Sequence, residues 1–150
     1  MNPSPYAIAA ALVRKWEGCR LKAYPDPATG GAPWTIGYGA TGPGIVRGTV
    51  WTQQQADERM AADVRTFVNG VKVLLSRQVT ANQLGAMGSL AYNIGLDRFE
   101  NSTLLRLFNS GSTAGAAKQF GVWTMAAGQR MQGLVNRRAD ERRVFEGGEP

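Results

Sequence analysis

From Leu21 to Val50 the chain carries Pro25, Pro27, Pro33 and Pro43 together with a high density of glycine, a stretch that cannot be helical. Proline removes a backbone donor and clashes with the preceding turn, and glycine raises the entropic cost of ordering a regular element. This window must therefore be turns and short strands. On either side of it the apolar residues recur at helical spacing. A helix, then a small sheet, then several helices implies an α+β fold with two lobes. The 150 residues amount to about one domain, with a small β lobe at 18–51 and a helical lobe made of 1–17 and 52–148.

Ser4 followed by Pro5 is a helix start, with a capping hydroxyl and proline at the first helical position. Ile8, Leu12, Val13 and Trp16 then form one apolar stripe, and the helix should run to about Glu17 and stop at Gly18. Trp34, Ile36 and Tyr38 alternate with Thr35, Gly37 and Gly39, which predicts a strand whose second face carries only small groups. After Val50 the helical pattern returns and lasts to the end. Thr52 with Gln55 and Thr80 with Gln83 have capping-box spacing. Ser102 and Ser112 are cap candidates with Gly111 between their helices, and a last helix should start near Gln132 or Gly133 and end before Gly147.

Hydrophobic residues make up 43% of the chain and charged residues 19%, values that exclude disorder and collagen-like repeats. The apolar run Tyr6 to Val13 is far short of the roughly 20 residues that span a bilayer. Its positive residues, Arg14 and Lys15, follow it, whereas a secretory signal places them ahead, so no export signal is expected and synthesis is assigned to the cytoplasm. There is no histidine and one cysteine, Cys19. That excludes a zinc site of the usual ligands, a His-based triad and an internal disulfide; no metal or cofactor is expected. Cys19 itself is expected to be a small buried hydrophobe. The chemistry is left to carboxylates.

Glu17 lies at the end of the first helix, four residues beyond Val13, so its side chain leaves on or beside the apolar stripe. Partial desolvation and the negative end of the helix dipole should both favour its protonated form. The same position suits an ordinary helix-terminal glutamate paired with Arg14 or Arg20. Asp26 follows nine residues later in Tyr24-Pro25-Asp26-Pro27, a loop where a solvated carboxylate stays ionised and where aspartate also serves as a turn former. Thr35 comes nine residues after that, on the strand face shared with Gly37 and Gly39, where missing side chains would let a polymer approach the backbone. Two carboxylates in unlike surroundings are what glycosidic cleavage requires, one protonated and one ionised at the same pH.

The run Glu17-Gly18-Cys19-Arg20-Leu21-Lys22-Ala23-Tyr24-Pro25-Asp26, followed by Thr35-Ile36-Gly37-Tyr38-Gly39, resembles the phage-type lysozymes, the endolysins and muramidases of glycoside hydrolase family 24. The resemblance continues through Ala91-Tyr92-Asn93-Ile94-Gly95, Ser102-Thr103-Leu104-Leu105 and Gly133-Leu134-Val135-Asn136-Arg137-Arg138. It implies a lysozyme-like fold with a cleft between the lobes, Glu17 as general acid, Asp26 as second carboxylate and Thr35 as holder of the attacking water. Tyr24, Gly37 and Arg137 are implied as supporting or substrate-contacting residues, Arg137 as the arginine that approaches the glutamate. An inverting mechanism is implied, with carboxyl groups about 6.5–9.5 Å apart to admit the water. Most members of the family follow Gly-Tyr-Gly with histidine, where this chain has Ala40, and the loop from Pro27 to Trp34 is longer than in the shortest relatives.

The implied activity is hydrolysis of the β-1,4 bond between N-acetylmuramic acid and N-acetylglucosamine in peptidoglycan, for host lysis, with holin-assisted access to the wall and a monomeric enzyme. Lys plus Arg exceed Asp plus Glu by 17 to 11, a net charge of +6 that suits an anionic wall or contact with an anionic membrane surface. No nucleic-acid motif has the necessary spacing. Two alternatives stand beside this reading. One is a lytic transglycosylase, which leaves an anhydro sugar. The other is a non-catalytic cationic protein that binds or disrupts anionic envelopes through its basic C-terminal helix, whose Arg137, Arg138, Arg142 and Arg143 also read as an ordinary solvated basic face.

Overall fold

The computed structural model describes residues 3–150, and the fold is α+β. The chain divides into two compact units, one of residues up to Leu12 together with Val64–Pro150, the other of Val13–Asp63. Helix α1 spans Pro5–Glu17. Ser4 Oγ accepts the Ala7 amide at 3.1 Å, satisfying one of the orphan donors of the first turn. The helix ends at Gly18, whose φ of +66° is open to glycine at little cost.

In the second unit β1 (Arg20–Tyr24) pairs antiparallel with β2 (Thr35–Gly37), Tyr24 opposite Thr35 and Arg20 opposite Gly37. The register is irregular between these pairs, a bulge that bends β1. The other edge of β1 is covered by the following segment, with Ala23 N–H donating to Thr49 O at 2.9 Å and Trp51 N–H to Leu21 O at 2.8 Å. The strand expected over 34–39 is confined to Thr35–Gly37. There the chain folds back, Ile36 and Ala40 exchanging both backbone hydrogen bonds at 3.0 and 2.8 Å, through a turn in which Gly37 and Gly39 have φ of +65° and +83°. Ala23, Ile36, Ala40 and Ile45 form the core of this unit, with Trp34 and Trp51 against it. Ala40, where the family more often has histidine, is thus a buried apolar contact.

Helix α2 (Gln53–Leu74) opens on the expected box, Gln55 N–H donating to Thr52 Oγ1 at 3.1 Å and Thr52 N–H to Gln55 Oε1 at 2.8 Å. The first unit then adds α3 (Ala81–Ile94), α4 (Leu96–Glu100), α5 (Thr103–Asn109), α6 (Thr113–Gln119) and α7 (Gln132–Phe145). Thr80 and Gln83 form the second capping box, and Ser102 Oγ accepts the Leu105 amide at 3.1 Å. Ser112 precedes α6 as expected but makes no side-chain cap bond; its ψ of 77° is not the extended geometry that turns a hydroxyl onto the helix amides. The helical reading of the whole second half is corrected at Met125–Ala126 (β3) and Gln129–Arg130 (β4), a small hairpin. Its central residues Ala127 and Gly128 have φ of 51° and 77°, a turn that sequences usually announce with Asn-Gly, and alanine at the first position hid it.

The core of the first unit includes Ile8, Leu12, Val68, Met87, Leu90 and Phe108, with Phe120 and Phe145 in tilted contact at 5.4 Å. Helix α3 approaches its neighbours closely because Gly85 and Gly88 lack side chains. A Cβ on Gly85 would lie 2.5 Å from Ile8 Cγ2 and 3.1 Å from the Pro5 carbonyl, and one on Gly88 would lie 2.6 Å from Val68 Cγ2. Alanine gains about 1 kcal/mol over glycine in a helix interior, whereas overpacking a core costs about 1–3 kcal/mol. With a backbone atom among the clashes, the second effect wins. Gly85→Ala should therefore lower stability by about 1 kcal/mol in chemical denaturation; an increase in stability would show that α1 and α3 separate freely.

Candidate active site

Glu17 is the last residue of α1 and is half-buried. What its carboxylate meets is the glycine turn after β2. A Cβ on Gly39 would lie 3.0 Å from Glu17 Oε2 and 3.6 Å from its Cδ. The bare face of Gly39 therefore accommodates the carboxylate. The corresponding face of Gly37 is occupied as well, since a Cβ there would lie 3.1 Å from the Trp51 ring and 3.6 Å from Ala56 Cβ. The expectation that both glycines leave backbone open to a polymer is corrected: they admit the protein's own groups, the Glu17 carboxylate at Gly39 and the Trp51 ring at Gly37.

The turn holding Gly39 is pinned by a network that the sequence reading did not single out. Tyr38 is buried, and its hydroxyl donates to Asp57 Oδ1 at 2.9 Å. Gln53 Nε2 donates to both Asp57 Oδ1 at 2.9 Å and the Tyr38 hydroxyl at 3.2 Å. These two donors hold the Asp57 carboxyl below its ordinary value, while burial and the neighbouring Asp57 push the Tyr38 hydroxyl up and a hydrogen bond with Arg14 opposes them. The only advance signal was the i, i+4 spacing of Gln53 and Asp57 at the start of α2. Cys19, expected in the core, is exposed. It follows the Gly18 turn outside the apolar cluster, where its Sγ lies 3.7 Å from Gln53 Nε2.

Tyr24 joins the site from β1. Burial raises its hydroxyl pKa, the negative charge of Glu17 raises it further, and Arg20, whose guanidinium lies 4.8 Å over the Tyr24 ring, opposes both. Thr35 is the cross-strand partner of Tyr24 and is half-buried. Strand pairing thus brings Thr35 beside Tyr24, and Tyr24 is within electrostatic reach of Glu17. Asp26, two residues past Tyr24, begins a tight loop. Its Oδ1 accepts the amides of Ala28 at 2.7 Å and Thr29 at 3.2 Å, while its backbone bonds Gly30 and Gly31. Asp26 is thus a turn former through one oxygen, and the loop's own bonds, including Thr29 Oγ1 to Ala32 O at 2.8 Å, fix its direction.

Arg137 lies in the first unit on α7, buried with Arg138 around Glu141. Arg137 Nε is 3.3 Å from Glu141 Oε2 and Arg138 Nε 2.8 Å from Oε1, while Ser89 Oγ donates to Oε2 at 2.6 Å. Burial pushes the Glu141 carboxyl up, and the two guanidiniums and the serine hydroxyl oppose it. The four arginines are therefore not one solvated face: Arg137 and Arg138 are core, and the more exposed Arg142 and Arg143 pair with Glu146 and Asp140 on the same helical stretch. The first unit also carries a depression of about 460 Å³ whose lining includes Asn93, Ile94, Arg98, Trp123, Met125 and Leu134, with Asn93, Ile94 and Leu134 in segments that carry the resemblance. Among the described residues no group of His, Cys, Asp and Glu is arranged to hold a metal ion.

The role of Gly39 can be tested directly. Alanine at φ +83° carries a strain of about 1–2 kcal/mol and displaces the Glu17 carboxylate by a few tenths of an ångström. Misplacement of a reacting group by about 1 Å can cost about 100-fold in rate. With Glu17 in the role that the resemblance implies, Gly39→Ala should fold and lose at least about tenfold in turnover. Wild-type turnover in the variant would mean that the carboxylate does not need this seat.

The chain matches the phage lysozyme family over residues 14–141. It is 44% identical over 139 residues to an endolysin of Bacillus phage PZA, covering 93% of this chain and 54% of that protein. It is 37% identical over 139 residues to an endolysin of Acyrthosiphon pisum secondary endosymbiont phage 1, covering 90% and 92%. The chain spans about half the length of the Bacillus phage relatives it matches. Among solved structures it is similar to the muramidase domain of SpmX from Asticaccaulis excentricus, with a TM-score of 0.84, 32% identity and coverage of 93% of this chain and 95% of that one. It is likewise similar to the endolysin from Escherichia coli O157:H7 phage FAHEc1, with a TM-score of 0.83, 30% identity and coverage of 100% and 97%. With Glu17, Asp26, Thr35 and Arg137 all inside the matched region and the fold shared along nearly its full length, the chain belongs to the phage lysozyme family.

Proposed function

We propose that this chain is a muramidase that hydrolyses the β-1,4 bond between N-acetylmuramic acid and N-acetylglucosamine in peptidoglycan, acting as a phage endolysin. The observation that carries the reading is the seat of Glu17, a half-buried carboxyl at a helix end held against Gly39 and beside Tyr24. In the reaction Glu17 donates its proton to the glycosidic oxygen as the bond breaks. Asp26 keeps an acceptor oxygen outside its own turn, able to orient and deprotonate a water and to face the positive charge that develops at the sugar carbon. Thr35 supplies the hydroxyl that holds this water for attack on the opposite face, giving inversion.

The names of the relatives, endolysins and a muramidase domain, support the activity and its substrate class. Among the described residues no helix is long and apolar enough to cross a membrane. The protein acts as a monomer. The test is digestion of purified peptidoglycan with mass spectrometry of the soluble fragments. Reducing muramic acid ends are expected. Anhydro ends would make the protein a lytic transglycosylase, and the absence of fragments from folded protein would leave a wall-binding one. Inversion is checked by proton NMR of the first product, which should be the α-anomer.

A further inference from the structure

The first unit carries a further depression of about 180 Å³ whose walls include Lys118, Arg130, Arg138 and Arg142, with Thr124 among them. The four cations come from α6, β4 and α7, elements that the fold brings together, and among the described residues no carboxylate lines the depression. Arg138 and Arg142 have acidic partners in Glu141 and Glu146. Lys118 and Arg130 take part in no ion pair among the described residues, so the depression keeps a positive excess. Like charges converging on one concavity destabilise the fold that holds them, and an anion relieves that repulsion.

We propose that this depression binds a phosphate group. A tetrahedral oxyanion suits the donors: planar guanidiniums can grip two oxygens at once, the Lys118 ammonium adds a point charge, and Thr124, now bonded only weakly to Gly121 O at 3.4 Å, adds a hydroxyl donor. By volume the depression holds about six waters, enough for the phosphate group itself. The phosphate is one group of a phosphodiester, on an anionic polymer or on a lipid headgroup. The site would keep the enzyme on a phosphate-bearing envelope while the Glu17 site works, and its existence does not depend on the assignment of that site.

The experiment is a titration of the full chain with inorganic phosphate, followed by amide NMR and by thermal unfolding, with chloride at matched ionic strength as reference. Saturable shifts at Gly121, Thr124, Arg130 and Arg142 and a rise in unfolding temperature with phosphate alone are expected. Lys118→Gln with Arg130→Gln, which relieves repulsion and so should fold, should weaken the titration about tenfold or more. Equal effects of chloride, or an unchanged titration in the double variant, would overturn the proposal. Glycerol phosphate polymer, vesicles with phosphatidylglycerol and vesicles with phosphatidylcholine alone then identify the source, by which of the first two loses binding in the variant. Cleavage of phosphate-free soluble peptidoglycan should be equal in wild type and variant, which separates failure here from failure of the muramidase reading.

Discussion

Glu17→Gln should abolish fragment release from peptidoglycan, a loss of about 10²–10⁴-fold, the contribution expected of one general acid. The amide keeps the volume of the carboxyl and its place against Gly39 but has no proton to donate at the pH of the reaction. Stability should therefore stay within about 0.5 kcal/mol of wild type, as for replacements that create neither cavity nor buried charge. Fragment release and a circular dichroism melt on the same sample make the test, and a variant that melts like wild type and still cleaves would remove Glu17 from the chemistry. Asp26→Asn is its natural partner. Asparagine Oδ1 can still accept the amides of Ala28 and Thr29, so the loop survives and any loss of activity reports on the charge.

Glu141→Ala should have the largest effect on the fold. Glu141 is fully buried between two guanidiniums that are themselves buried, with Ser89 completing its shell. Removing one partner of a buried ion pair costs about 3–5 kcal/mol, because the charge left behind has lost its compensation without regaining water. Here two cations are left. Against a total stability of about 5–15 kcal/mol, this should lower the unfolding temperature by roughly 10 °C. Replacing Arg137, Arg138 and Glu141 together by apolar residues of similar volume should recover much of the loss, since desolvation of the triad is then avoided. A melt of Glu141→Ala within about 2 °C of wild type, less than one kcal/mol by the same scaling, would mean that water reaches the guanidiniums.

The local signals were read with little error where one residue type has one physical use. Ser4-Pro5, Thr52 with Gln55, Thr80 with Gln83 and the prolines of the loop mark helix ends and breaks wherever they occur, because a capping oxygen or a missing amide acts on its own few residues. The β3–β4 hairpin escaped because Ala127 occupies a left-handed position that sequences usually give to asparagine or glycine, and the Ser112 cap failed on a backbone angle. Cys19 came out exposed because the average burial of cysteine says nothing about a residue just past a glycine turn.

The sequence alone determined the α+β class, the spacing of Glu17, Asp26 and Thr35, and the family that this spacing resembles, because hydrophobic period, caps and breakers are short-range. Only the tertiary structure decided that Gly39 seats the Glu17 carboxylate, that Asp57 and Gln53 brace the turn behind it, and that two arginines of an apparently solvated run are core. Those outcomes depend on which surfaces meet across dozens of residues. Whether a glycine leaves a space open or an arginine reaches water is settled by the neighbour that arrives from elsewhere in the chain.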